Sequence, residues 1–331
     1  MSMYRLCGFI LLAWTIWAPT AGAATLAGEA FSLGAGGRGL ALGGAVIAGP
    51  FDATAPYWNP AGMNRLSGGH IVAMHAETFG SLLDQDFVGY VHGRPQANSF
   101  LQSFGFYLYY LGGGGIKLTR FDADLGRPVV VREESHGDYL LSAAISGSIG
   151  QKIDIGFTAK FIYRDIGTEN GQGLTIDGGA LWQANQFTNV GLMITDLTTG
   201  FIRYSGGTTI EGRDTTFVTK SNTESIYPTV KPGLQITHTH HDFTGRLLMS
   251  GDIRFENLKT VAQYWSGSLS LDTHYGLEIS YREAIFGRTG FDIGRFTAGG
   301  GVSLSRVTVD FAYLHHSDLD ESFRVSAGYR L

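Results

Sequence analysis

The chain has 331 residues, 44% of them hydrophobic and 16% charged, with a formal net charge of −5; this excludes a disordered or strongly charged chain. So mild an excess implies no charged partner such as nucleic acid. Glycine is the outlier: its 48 residues are roughly twice the usual share of about 7%, spread through alternating segments as tight turns and bent strands require.

Arg5 precedes the apolar run Leu6 to Trp17, and Pro19, Ala21 and Ala23 follow it. A charged, an apolar and a small-residue region in that order predict a cleaved export signal at residues 1–23. The run is shorter than the about 20 apolar residues that a membrane-spanning helix needs. Cys7 lies within it, so the mature chain is expected to have no disulfide, thiolate metal site or thiol nucleophile. Loss of Arg5 shifts the formal charge to −6.

Residues 31–66 read FSLGAGGRGLALGGAVIAGPFDATAPYWNPAGMNRL. They are rich in Gly and Ala, lack strand alternation and end in a turn-forming Asn-Pro-Ala-Gly. Pro60 fixes its own φ and restricts Asn59 to extended conformations, and the Asn59 amide is suited to satisfy local backbone groups. Two readings stand at this point: a plug inside a barrel, spanning 24–68, or a periplasmic lead-in with a capped turn.

After Ala23 no stretch reaches 18 consecutive apolar residues, yet segments of about ten residues with period-two alternation recur to the end. In the clearest, Ile153, Ile155, Phe157, Ala159, Phe161 and Tyr163 share one face, and Lys152, Asp154, Gly156, Thr158 and Lys160 the other. One face suits lipid and the other water. The same criterion predicts fourteen strands, near 69–79, 86–94, 100–111, 137–148, 152–165, 173–184, 188–197, 227–239, 245–256, 261–271, 274–284, 295–304, 306–315 and 322–331. The even count, with short connections after even-numbered strands and longer ones after odd-numbered strands, fits an all-β, fourteen-stranded antiparallel transmembrane β-barrel in a Gram-negative outer membrane, its barrel domain spanning 69–331. The competing fold is a soluble, secreted β-sandwich or barrel with its apolar face buried.

The inward faces of these strands carry Lys152, Asp154, Lys160, Asp177, Arg246, Asp252, Arg254, Glu278, Arg282, Arg306, Asp310, Arg324 and Arg330. A Lys or Arg on the lipid face costs about 2–4 kcal/mol at the midplane, so these charges require a protein-facing or watery side and are expected to pair wall to wall or wall to plug. Aromatics near strand ends, Tyr90, Tyr109, Tyr110, Trp182, Tyr275 and Tyr281 among them, are candidates for interfacial girdles. His238, His240 and His241 are expected at the opposite mouth from His315 and His316, which argues against a metal site. Asp318, Asp320 and Glu321 read as a solvated acidic loop. No nucleophile, dinucleotide or phosphate-loop motif is present, so neither enzymatic activity nor a cofactor is expected.

Gly37-Arg38-Gly39, Leu42-Gly43-Gly44-Ala45, Asp52-Ala53 and Tyr57-Trp58-Asn59-Pro60-Ala61-Gly62 resemble, in order and spacing, the superfamily of long-chain fatty acid transporters of FadL type and, more closely, the PorV/PorQ outer-membrane proteins. The closing VDFAYLHH and SFRVSAGYRL are similar to the end of PorV/PorQ chains. A terminal strand with an aromatic near its end resembles the signal read by the barrel-assembly machinery. The resemblance implies a hatch within a fourteen-stranded barrel embedded in outer-membrane lipid, and a kink in the third strand that opens a lateral exit. Gly112, Gly113, Gly114 and Gly115 are where that kink would fall, and they equally suit the root of a long loop over 112–136. Two functions follow: passage of a small hydrophobic substrate, or binding of exported proteins through loops 112–136 and 198–226.

Overall fold

The computed structural model describes residues 28–331 apart from 79–81, 95–100, 168, 206–222, 257, 259–261 and 316–320. The expected export signal with Cys7 lies outside the described residues, as do Asp318 and Asp320. The strands are β1 (Gly68–Thr78), β2 (Leu83–Gly93), β3 (Ser103–Asp122), β4 (Arg127–Ile149), β5 (Ile153–Asp165) and β6 (Asn170–Gln183). They continue with β7 (Thr188–Thr195), β8 (Gly200–Ser205), β9 (Thr223–Ile226), β10 (Thr229–His240), β11 (Phe243–Arg254) and β12 (Tyr264–Ser266). The last five are β13 (Leu269–Tyr281), β14 (Ile285–Asp292), β15 (Arg295–Leu304), β16 (Val307–Leu314) and β17 (Ser322–Arg330).

All but β8, β9 and β12 form a closed antiparallel ring of fourteen strands in chain order, β7 pairing with β10 and β11 with β13. The ring closes where β1 meets β17, from His70 opposite Arg330 to Glu77 opposite Phe323. Closure pairs both edges of every strand in the ring, which lipid itself cannot do. It also excludes a two-sheet sandwich.

The two faces separate as the alternation requires. Along β3, Phe106 is 50% exposed, Tyr107 1%, Leu108 47% and Tyr109 0%. Phe157 and Phe161 on β5, Leu277 and Ile279 on β13, and Val309 and Phe311 on β16 are likewise exposed on the outside. Such a continuous apolar exterior has no place on a soluble monomer.

The start of β1 and the end of β17 share one mouth, the proximal one, with the tight turns at 150–152, 241–242, 282–284 and 305–306. At the other, distal mouth β3 and β4 run on as a paired hairpin as far as Asp122 opposite Arg127. Residues 112–136, expected as a loop, are therefore mostly strand. Within 198–226, β8 pairs with β6 and with β9, raising the wall above β7.

One expected strand is displaced. Residues 261–271 hold no separate barrel strand; the short β12 folds back onto the start of β13. The strand expected over 274–284 is the later part of β13 and its turn, and β14 supplies the missing member of the ring. Tyr109, a girdle candidate, instead points inward and is fully buried.

Candidate functional site

Residues 28–66 lie against the inner faces of strands all round the ring. They contain α1 (Gly37–Ala41), α2 (Ala55–Trp58) and a 3-10 turn over Pro60–Arg65. Gly43 and Gly44 turn the chain out of α1 with φ of 63° and 75°, a region that suits glycine. Asp52 Oδ1 accepts from the Thr54 amide at 2.7 Å and the Thr54 hydroxyl at 2.6 Å, holding the turn into α2. Trp58 Nε1 donates to the Ala35 carbonyl at 2.9 Å and its ring lies over Gly39. Asn59 Oδ1 accepts from the Ala61 amide at 3.1 Å, and its Nδ2 donates to Ile47 and Ala180 carbonyls. One buried side chain thus ties Pro60 and Ala61 to the preceding loop and to β6. Gly62 fits beneath the Phe51 ring.

The wall supplies further anchors. Ser326 Oγ accepts from Gly37 N at 3.0 Å, Arg324 donates to the Leu33 carbonyl at 2.8 Å and Gln85 to that of Gly34 at 2.7 Å. Inward-facing glycines let the two backbones approach. A Cβ on Gly156 would stand 2.5 Å from Pro60 C, and one on Gly89 2.5 Å from Ala53 O. This is where part of the glycine excess is used. Thr158 Oγ1 donates to the Pro56 carbonyl at 2.8 Å. Thr158→Val leaves that buried acceptor unpaired, and a loss of about 1 kcal/mol in unfolding free energy is expected from urea unfolding of the refolded barrel; no change would show that the bond is dispensable.

The interior is divided. Beneath α1, Glu278 receives three guanidinium groups: Arg38 at 2.9 Å, Arg246 at 2.7 Å and Arg288 at 2.7 Å. Arg288 also reaches Asp310 at 2.6 Å. Arg246 further pairs with Glu283 in the β13–β14 turn at 2.7 Å. Burial pushes the Glu283 carboxyl up, but the Arg246 hydrogen bond and charge outweigh it and hold that group below the usual carboxylate range. Near the proximal mouth Asp154 accepts from Asn64 at 3.0 Å and pairs with Arg65 at 2.8 Å. The other half of the wall is aromatic: Tyr57 from α2 packs among Phe87, Tyr107 and Tyr109, and Phe31 lies edge-on to Tyr109.

Between these halves a cavity of about 140 Å³ faces the distal side. Phe31, Leu33, Leu40, Tyr57 and Trp58 from the N-terminal segment form its apolar floor, with Tyr107 and Leu140 beside them. Ion pairs rim it. Lys160 lies 2.7 Å from Asp177 and 2.9 Å from Asp196; Lys231 lies 2.6 Å from Asp252, and Arg254 2.5 Å from Asp272. His274 Nδ1 stands 2.9 Å from Asp292.

Of the charges expected in the lumen, Asp154, Lys160, Asp252, Arg254, Glu278, Asp310 and Arg324 face the interior. Asp177 and Arg246 do too, whereas Arg330, at the proximal end of β17, is exposed and donates to the Ser305 carbonyl. Lys152, Arg282 and Arg306 do not face inward. Each falls in a proximal turn and is exposed; Arg282 has a φ of 53° and pairs with Asp242 of the neighbouring turn at 2.9 Å. They lie past the last paired residue of a strand, where parity no longer fixes direction. Gly112 to Gly115 lie inside β3, with a register shift between Gly113 and Ile116 and open space beside Gly114 and Gly115.

Sequence reasoning missed Tyr107, His274 and Arg288. His274 shares its parity with Asp272 and Glu278, a signal legible in β13. Arg288 was hidden with its strand. His240 and His241 meet edge to face at a proximal turn, and among the described residues no group of three or more potential ligands is arranged to hold a metal ion.

The chain is similar in fold to two monoaromatic hydrocarbon channels. One is CymD, at 12% identity and a TM-score of 0.54, covering 90% of this chain and 98% of that one. The other is a TodX deltaS2S3 mutant, at 11% identity and a TM-score of 0.52, covering 89% of this chain and 98% of that one. No family model matches the sequence, and no curated protein matches it.

Proposed function

We propose that this protein sits in a bacterial outer membrane and conducts small hydrophobic molecules, without catalysis, through a barrel that its N-terminal segment plugs. The observation that carries this reading is the distal cavity, whose apolar floor is made by that segment and whose polar rim opens away from the mouth where β1 begins and β17 ends. A ring of fourteen strands is too wide for its own side chains to fill, since about eight already suffice. The segment occupies the remaining space and would have to shift for cargo to pass. The apolar exterior supports a lipid setting. Two proteins of the same fold are named as monoaromatic hydrocarbon channels, which supports the cargo class.

Binding of exported proteins is a second reading, in the manner the PorV/PorQ resemblance implies. The feature that favours it is the projecting β3–β4 hairpin, with Phe121, Leu125, Val130 and Val131 exposed. The two readings part in one experiment: uptake of labelled toluene by cells with and without the gene, and by cells whose β3–β4 hairpin is shortened at 116–133. The conduit reading expects uptake to fall on deletion of the gene and to survive shortening of the hairpin. Unchanged uptake in the deletion strain would sink it.

A further inference from the structure

A second cavity lies on the outside of the barrel, apart from the lumen. At the distal ends of β2 to β5, Asp84, Gly112, Gly137 and Asp165 are successive partners in one hydrogen-bonded row. Tyr110, Tyr139 and Tyr163 form the next outward row toward the membrane, with ring centroids 5.0 Å and 6.1 Å apart. The two acids and the first two tyrosines line a space of about 290 Å³, together with Ser135 and His136.

The glycines open this place. The tip of the Tyr110 ring takes the position of a Cβ on Gly112, and Tyr139 Cε2 stands 3.0 Å from that of a Cβ on Gly137. Larger residues there would lift both rings off the sheet; without them the rings lie along it and offer an apolar floor. Three strand spacings separate β2 from β5, about 14 Å in all, so the two acids bracket a gap that admits one six-membered ring. The Gly167 amide donates to Asp165 Oδ1 at 2.9 Å and orients that carboxylate.

These groups specify a ligand. Carboxylates are strong acceptors for hydroxyl donors, and the Ser135 hydroxyl and the His136 imidazole both donate and accept. A flat aromatic floor suits a face of C–H bonds. A polyol with one apolar face, a pyranose ring, meets all three demands, whereas a phosphate finds no lysine or arginine among the described lining residues. The level fits as well. Tyrosines collect where acyl chains give way to head groups, and the outward residues one row further into the membrane, Leu108, Leu141 and Phe161, are apolar and exposed.

We infer that this outer cavity is a sugar-binding site, which seats one pyranose ring at the level of the lipid head groups. The inference stands apart from the conduit reading, since it needs the membrane setting and no passage through the lumen.

The test uses the refolded mature barrel in phosphatidylcholine nanodiscs that carry equal amounts of diacylglycerol and monoglucosyl diacylglycerol, and native mass spectrometry counts the lipids that stay bound on release. The glucosyl form is expected to be retained at least about tenfold over diacylglycerol, the ratio that two net hydrogen bonds set. Asp84→Asn combined with Asp165→Asn is expected to lower that ratio about tenfold. Tyr139→Val, made separately, is expected to lower it about fivefold. Excess methyl glucoside separates the sources: displacement of the glucosyl lipid supports a site that also takes free sugar, and its retention supports one that needs the lipid anchor. Equal retention of the two lipids by the parent, or a ratio unchanged by the double variant, would overturn the inference.

Discussion

Glu278→Ala is expected to lower the stability of the refolded barrel by about 3–5 kcal/mol, the range for breaking a buried ion pair from one side. Glu278 is fully buried and is the common partner of Arg38, Arg246 and Arg288. Its removal leaves three guanidinium groups with Asp310 as the remaining buried acid of the cluster. Arg38→Met is expected to cost less, because Glu278 keeps two partners. The Arg38→Met substitution made on top of Glu278→Ala should then be less damaging than the sum, which a double-mutant cycle in urea reads directly. An unchanged midpoint for Glu278→Ala would mean that the cluster is not a keystone of the barrel.

The second large effect is steric. A Cβ on Gly290 would stand 2.5 Å from Tyr275 O and 2.7 Å from both Gly43 N and Leu42 C. Gly43 itself has a positive φ and faces the Phe291 carbonyl, so neither side has a flexible side chain to give way. Gly290→Val is therefore expected to cost about 1–3 kcal/mol, the usual range for overpacking, with the strain relieved by unseating residues 40–46 from the wall. Faster proteolysis within the N-terminal segment and larger conductance steps in planar bilayers are the readouts. A variant as protease-resistant and as closed as the parent would show that the wall, and not the segment, moves aside.

The ring was legible because most strands separate large apolar from small or polar side chains without a break, as β5 does. β14 escaped notice because Phe286 points inward and Gly287 and Gly290 blank both faces, so its alternation carries little contrast. The expected strand at 261–271 took its place, and the count of fourteen survived this exchange. The cavity was less legible. Charges alternating with apolar residues announced the ionic wall, but the inward aromatics Tyr107 and Tyr109 alternate with outward Phe106 and Leu108, and a strand apolar on both faces does not say which one meets lipid. That assignment needs the N-terminal segment already in place, since it is Tyr57 and Phe31 that make an apolar inner face favourable there. The engagement of Arg38 with Glu278 was equally beyond reach, because spacing along a chain does not reveal partners 240 positions apart.

Such separations shape the order of biogenesis. Leu33 and Gly37 emerge early from the ribosome, yet their bonds to Arg324 and Ser326 span 291 and 289 positions. Residues 33–37 are thus secured only after the final staves of the cask have arrived. Contacts over such distances form slowly, so these residues are expected to gain protease resistance during refolding only once the ring has closed.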